Sequence, residues 1–167
     1  ADAPILPFSF SDAAATFRRY ALEIDTLAQQ KLGAAGPDLA AVRVAVDSLA
    51  AAGQRFDWAM NLALGRGAAW LEQSRAALAA INRDIYQSER DLTDAAGLPR
   101  RPWFRHRLYA PGFYTGYGVK TMPGIREALE QRDATEATTQ APLVSAAIMR
   151  MAARADKAAR DLLALRP

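Results

Sequence analysis

Apolar residues recur at steps of three and four along four long stretches of this chain, a spacing that puts them on one face of an α-helix. The first stretch has Ser11 or Asp12 as its N-cap and runs through Phe17, Tyr20, Ile24 and Leu27, with Gly33 to Pro37 ending it. A second begins near Asp38, carries Leu39, Val42, Val46, Leu49, Phe56 and Met60, and stops at Gly65-Arg66-Gly67. Gly53 is a weak point in its seam, worth up to ~1 kcal/mol relative to Ala. The third is the most regular, with Leu71, Ser74, Leu78, Ile81, Ile85, Ser88 and Leu92 in one stripe that ends before Gly97-Leu98-Pro99. Pro123 suits the first turn of a short helix bearing Ile125, Ala128 and Leu129, because Pro there loses no helical hydrogen bond. After a polar connection, Arg132 to Gln140, the last helix starts near Thr139 with Pro142 in its first turn and continues through Val144, Ile148, Met151, Ala155, Leu162 and Leu165. The pattern predicts an all-α fold, a four-helix bundle with a short extra helix, with Ala at many seam positions allowing close helix approach. No strand signal is convincing; Ala3 to Phe10, with Pro4 and Pro7, reads as an edge strand or an extended tether.

The periodicity fails between Gly97 and Ile125, GLPRRPWFRHRLYAPGFYTGYGVKTMPGI. A loop this long is well above the usual connection of about 4 to 6 residues, so it is either disordered or held for a purpose. Disordered segments are poor in aromatics, whereas this one carries Trp103, Phe104, Tyr109, Phe113, Tyr114 and Tyr117. We therefore expect a long ordered aromatic loop, and function is sought there first.

With 167 residues, about half of them apolar, the chain is one domain able to bury a real core. Its lack of Cys excludes disulfides, thiolate zinc sites and a cysteine nucleophile. No apolar run reaches the ~20 residues needed to span a bilayer, and ADAPILPFSF lacks the basic start and apolar core of a signal peptide, so no membrane contact by this domain is expected. The absence of an initial Met fits a piece of a longer protein. A net charge of +3 invites a nucleic-acid reading. The one basic cluster is Arg100, Arg101, Arg105, His106 and Arg107, interleaved with Trp103 and Phe104, and it has no nucleic-acid module spacing. Such arginines are read as tying down loop carbonyls or the acids of a neighbouring domain, and no nucleic acid is expected as a partner.

Little chemistry is available to the chain alone. With His106 as its single His it has no HExxH and no pair of Glu-x-x-His motifs, so no metal ligands are assigned. GxGxxG, GxxxxGK[ST] and GxSxG are also missing, and Gly112, Gly116 and Gly118 follow no predicted strand. His106 could serve as a general base, but among Arg and aromatic neighbours it reads as a hydrogen-bonded structural residue. Arg105, His106 and Tyr109 are taken as loop-structuring, and no residue is assigned a catalytic role.

The succession GLPRRPWFRHRLYAP, then Gly-Tyr-Gly, then MPGIREAL resembles the signature of the transferrin-receptor-like dimerisation domain, the C-terminal helical domain of glutamate carboxypeptidase-type zinc metallopeptidases. ILPFSFSDAAATFRRYA is similar to that family's entry into the first helix, and Val46-Asp47-Ser48-Leu49 to its second-helix motif, so the likeness covers nearly the whole chain. It implies residues 1–10 as a tether from a preceding protease domain and 11–167 as the helical domain.

The resemblance also implies two roles, most of a two-fold subunit interface and a loop that helps close the substrate pocket of the neighbouring protease domain. Glutamate-preferring members carry a Lys-Tyr pair in this loop that holds substrate carboxylates. The matching positions are Gly116 and Tyr117. Tyr117 keeps the hydroxyl, but Gly116 supplies no cation, so a charge-assisted bond of roughly 1.5 to 3 kcal/mol is missing unless Lys120 replaces it. The implied partners are a second copy, the preceding protease and apical domains of the same polypeptide, and a peptide substrate. The implied zinc lies in the preceding domain, with no cofactor in this chain, and the parent is expected to be extracytoplasmic, whether secreted, periplasmic or membrane-anchored. Two other readings remain: the assembly module of a receptor-type relative without catalysis, and an independent helical binding or adaptor domain.

Overall fold

The computed structural model describes residues 3–113 and 118–165. Its helices are α1 (Phe10–Leu32), α2 (Ala40–Leu64), α3 (Ala68–Gln73), α4 (Arg75–Tyr86), α5 (Ser88–Asp91), α6 (Pro123–Glu130) and α7 (Ala134–Ala164), with a 3-10 turn at Gly33–Ala35. The fold is an all-α bundle: α1, α2, the row α3 to α5, and α7 are its four long members, and α6 is the short extra one. Side-chain pairs give the directions. Ser11 bonds to Asp57, Arg18 to Asp47 and Arg43 to Asp25, so α1 and α2 are antiparallel. Ser145 bonds to Ala41 O, Arg55 to Asp156 and Arg66 to Leu165 O, so α2 and α7 are parallel. Lys157 reaches Asp84 and Arg150 reaches the Thr93 carbonyl, so α4 and α7 are antiparallel. Direction therefore alternates along α1, α2, the row α3 to α5, and α7, an up-down-up-down order, and the long loop joins the end of that row to α6.

The core is a single cluster in which Ala14, Ala21, Ala45, Ala52, Ala59, Ala147, Ala155 and Ala158 alternate with Phe10, Phe56, Leu49, Ile24 and Ile148. The Phe10 and Phe56 rings meet edge to face at 5.1 Å, joining the start of α1 to the middle of α2. Gly53 explains how: a Cβ there would lie 2.6 Å from the Ser11 nitrogen, so the weak point in the seam is the place where the α1 backbone touches α2.

Several boundaries differ from the pattern. The N-cap of α1 is Ser9, whose hydroxyl accepts from Asp12 N at 3.0 Å, while Ser11 Oγ is committed to Asp57 at 2.6 Å. The third stretch is not one helix. It unwinds at Ser74 and at Gln87, although its stripe still buries Leu78, Ile81, Ile85, Ser88 and Leu92. At Gln87 the competitor is visible: Arg154 Nη1 donates to Asp84 O, the carbonyl that a continuing helix would reserve for Ser88 N. α7 begins five residues before Thr139, because Asp133 caps it by accepting from Glu136 N at 2.8 Å. Pro142 is therefore interior, on the exposed side together with Thr138, whose carbonyl it leaves without a helical donor.

The expectation of no strand also fails. β1 (Tyr109–Pro111) and β2 (Val119–Thr121) pair antiparallel inside the loop, with Tyr109 opposite Thr121 and Pro111 opposite Val119. A three-residue strand is too short to show alternation in sequence, and Pro111 argued against one. Residues 3–9 form no strand; Leu6 N donates to Asn82 Oδ1 at 2.9 Å and Asn82 Nδ2 to Pro4 O at 3.1 Å, which fastens this segment to α4.

Candidate functional site in the long loop

The loop folds back on itself through backbone bonds. Arg107 N donates to Leu92 O, Asp94 N to Arg105 O, Leu98 N to Phe104 O, and Met122 N to Leu108 O, all between 2.8 and 2.9 Å. Leu98, Leu108, Ala110 and Met122 are buried beneath it. The aromatics contribute less: Trp103, Tyr109 and Phe113 stay exposed, so the order of this loop comes from its aliphatics and its arginines.

Two of those arginines are buried. Arg101 is 3% exposed and pairs with Glu127 of α6, itself 4% exposed. The same guanidinium donates to Pro111 O at the end of β1, and the same carboxylate accepts from Phe113 N at 2.9 Å. One ion pair thus holds both sides of the turn out of β1 against α6, with the guanidinium 5.2 Å from the Phe104 ring centroid. Arg107, 1% exposed, donates to Gln140 Oε1 of α7 at 3.1 Å, and its Nη2 lies 3.3 Å from Asp94 Oδ1 without hydrogen-bond alignment. The Ala96 N–H, and after it Arg107, hold the Asp94 carboxyl below the usual carboxylate range against the opposing cost of burial. Arg100 makes a two-pronged pair with Glu136 at 2.7 and 2.9 Å. Three arginines of the basic cluster are therefore engaged with groups of this chain. Arg101 was named from sequence only as one of a cluster read as tying down loop carbonyls or a neighbouring domain's acids, and its partner Glu127, an acid of this same chain, was not singled out. The available signal was an acid among the buried residues of the short helix, next to Ala128 and two residues after Ile125.

The residues proposed as loop-structuring fall in two places. His106 and Tyr109 stack at 3.9 Å and both reach Glu89 on α5. Nδ1 of His106 accepts from Leu108 N at 3.1 Å and Tyr109 N at 3.2 Å, which assigns the proton to Nε2, 3.1 Å from Glu89 Oε1. Arg105 is exposed and contributes its carbonyl to Asp94 N. Lys120, on β2, pairs with Glu130 of α6 at 2.6 Å, so a substrate carboxylate would have to compete with that acid. Gly116 and Tyr117 lie outside the described residues.

Burial lowers the His106 pKa from its usual value, while Glu89 pulls it upward. Burial also pushes the Tyr109 hydroxyl up to about 12, with Glu89 adding to the effect. Protonating His106 would turn an acceptor of two backbone N–H groups into a donor, so the fold favours neutral imidazole. Because the folded pKa is the lower one, this contribution is complete above the unfolded value of about 6.5 and is lost as pH falls through the folded value. Chemical denaturation between pH 8 and 5 should show this loss in the native chain and a smaller one in His106→Asn, which keeps an acceptor near Nδ1. Parallel pH profiles would mean that His106 titrates normally.

Among the described residues no group of three or more His, Cys, Asp or Glu is placed to hold a metal ion. The zinc that the family resemblance implies does not fit the residues described here. No helix is long and apolar enough to cross a membrane among these residues.

Residues 37–155, spanning α2 to most of α7 and the whole loop, match the family described as the transferrin receptor-like dimerisation domain. The chain belongs to that family. A protein of Arabidopsis thaliana described as a probable glutamate carboxypeptidase is 29% identical over 130 residues, covering 78% of this chain and 17% of that protein. A second protein so described, from Arthroderma benhamiae, is 40% identical over 77 residues, covering 46% of this chain and 10% of its own length. The chain thus spans under a fifth of the length of these relatives.

Proposed function

We propose that this chain is the non-catalytic dimerisation module of a longer glutamate carboxypeptidase-like zinc peptidase, assembling two subunits and lending its loop to the substrate pocket of the parent. The observation that carries the reading is the family match across 37–155, in a chain that aligns with 17% of a relative described as a probable glutamate carboxypeptidase. The metal and the catalytic groups are assigned to the preceding domain by the family resemblance. One further feature supports the reading. The loop is pinned to α6 and α7 from below by Arg101 and Arg107 while Trp103, Tyr109 and Phe113 stay exposed, which suits a surface shared with another domain. The parent is read as extracytoplasmic, and residues 1–10 as the tether from its protease domain. The named relatives favour a peptidase over a receptor-type parent.

The test is made in the full-length parent. Tyr117→Phe keeps the ring and removes the hydroxyl donor, and kcat/KM should fall by an amount equivalent to roughly 1 to 3 kcal/mol with thermal stability unchanged. Unaltered kinetics in a stable variant would remove the loop from the pocket. Reading the coding sequence upstream of Ala1 for metal-ligand Asp, Glu and His residues tests the peptidase assignment separately.

A further inference from the structure

The β1–β2 ribbon has one edge that the chain itself does not use. Met122 N donates to Leu108 O at one end and Gly112 N to Gly118 O at the other, so Ala110 and Lys120 are the pair bonded inward. Tyr109 and Pro111 on β1, and Val119 and Thr121 on β2, then point their main-chain groups outward. On β1 these groups meet the chain: Tyr109 N donates to His106 Nδ1, Pro111 has no N–H, and its carbonyl accepts from Arg101. On β2, Thr121 O accepts from Arg126 Nε at 3.0 Å, while Val119 N, Val119 O and Thr121 N have no partner among the described residues.

That edge borders a groove. A hollow of about 350 Å³ is lined by Glu23 of α1, by residues 118–121 and by Arg126 of α6, with no residue of β1, which places it on the outer side of β2. It shares Glu23 and Arg126 with a second hollow of about 620 Å³, lined also by Leu22, Leu27 and Arg19. Val119 is 70% exposed at one end and Leu22 59% at the other. The charges in the middle are satisfied, Arg126 by Glu23 at 2.7 Å and Lys120 by Glu130 at 2.6 Å. Arg19 differs: it is exposed, reaches only the Thr16 hydroxyl at 3.4 Å, and has no acid among the described residues.

We propose that this groove seats an extended segment from the part of the parent polypeptide that precedes this chain, adding a third strand to the ribbon at β2 and bringing a carboxylate to Arg19. The inference rests on the reading above that a longer polypeptide contains this chain. The chemistry of the occupant follows from the unpaired groups. Outward donors and an acceptor two residues apart are met by backbone in strand conformation, not by a helix or a small anion. An unpaired guanidinium at the far end calls for an acid on that segment. The source of the segment follows from magnitude. Three main-chain hydrogen bonds and one exposed ion pair hold a separate peptide no more tightly than about millimolar. A segment of the same polypeptide is presented at an effective concentration of about that size, so it fills a groove that a free peptide leaves empty.

Amide exchange read residue by residue, in the chain and in the full-length parent, tests this. In the chain at low micromolar concentration Val119 and Thr121 N–H should exchange fast, while Lys120 N–H, inside the ladder, exchanges slowly. In the parent both outward amides should slow by at least ~10-fold, and Arg19→Glu should return them most of the way to the rate seen in the chain. Arg19 is exposed, so melting of that variant should match the native protein. Val119→Pro deletes an outward N–H and no ladder bond, and should speed Thr121 exchange in the parent alone. Equal exchange in chain and parent overturns the proposal, as does slowing in the parent that neither variant relieves. Slowing that appears in the chain as its concentration rises overturns it in favour of a second copy. A kinetic effect of Tyr117→Phe with fast Val119 and Thr121 exchange in the parent sinks this groove and leaves the pocket reading standing. An upstream sequence without metal ligands removes the peptidase reading, while slowed amides in that parent still support the groove.

Discussion

Glu127→Gln should cost about 3 to 5 kcal/mol of folding stability, among the largest losses available to a single isosteric change in this chain. The substitution removes a charge and no volume, and leaves the Arg101 guanidinium buried without its counter-ion. Arg101 Nε already lacks a hydrogen-bond partner among the described residues, so the site has no spare acceptor with which to compensate. For a chain of this size such a loss lowers the melting temperature by on the order of 10 °C. Removing both members, as Arg101→Met with Glu127→Leu, should recover part of that loss, because an apolar pair can replace a buried ion pair. Recovery should remain incomplete, since Pro111 O and Phe113 N also depend on these two side chains. Denaturant titration of the three variants decides the matter. A loss under about 1 kcal/mol for Glu127→Gln would mean that the pair behaves as a solvated surface bridge.

The helices were legible because their information is periodic and local. Leu78, Ile81 and Ile85 announce a buried face whatever surrounds them, and the structure buries each one. The errors arose where a distant group outweighed the local signal. Arg154, some seventy residues away, takes Asp84 O and unwinds the third helix at Gln87, which no window around Gln87 contains. Pro142 looked like a first-turn residue because that is where Pro is most easily tolerated, yet the Asp133 cap starts α7 upstream and the helix runs past it. The loop was found by what it lacked, periodicity, and by its aromatics. The arginines were read as ties, but the acid that Arg101 meets was not found, because Arg101 and Glu127 are 26 positions apart and a buried ion pair has no period. The cluster of arginines in the loop was visible as charge; only the fold tells which of them face inward. The substrate-site assignments rest on likeness to a family, since spacing alone gives Tyr117 no role beyond packing.

Gly97→Ala should destabilise the chain by roughly 2 to 5 kcal/mol, and should do so through the loop rather than the bundle. Two independent causes coincide. Gly97 has φ +67, where an L-residue is strained by about 1 to 2 kcal/mol, and a Cβ there would lie 2.1 Å from Pro102 O. Backbone cannot yield as the end of a flexible side chain can, so the turn must open. Next along the chain, Leu98 N donates to Phe104 O and Leu98 O accepts from Arg101 N, so opening the turn moves the residue that carries the buried guanidinium. The loss should therefore overlap with that of Glu127→Gln. The double variant should cost less than the sum of the singles, by more than the roughly 0.5 kcal/mol scatter expected of independent sites. Far-UV circular dichroism should stay native below the transition, because the long helices lie outside the turn, while amide exchange at Leu98 and Arg107 should speed up. Strict additivity would show that the turn at Gly97 and the Arg101–Glu127 pair are separate devices, and a Gly97→Ala chain as stable as the native one would show that the Pro102 carbonyl can move aside at little cost.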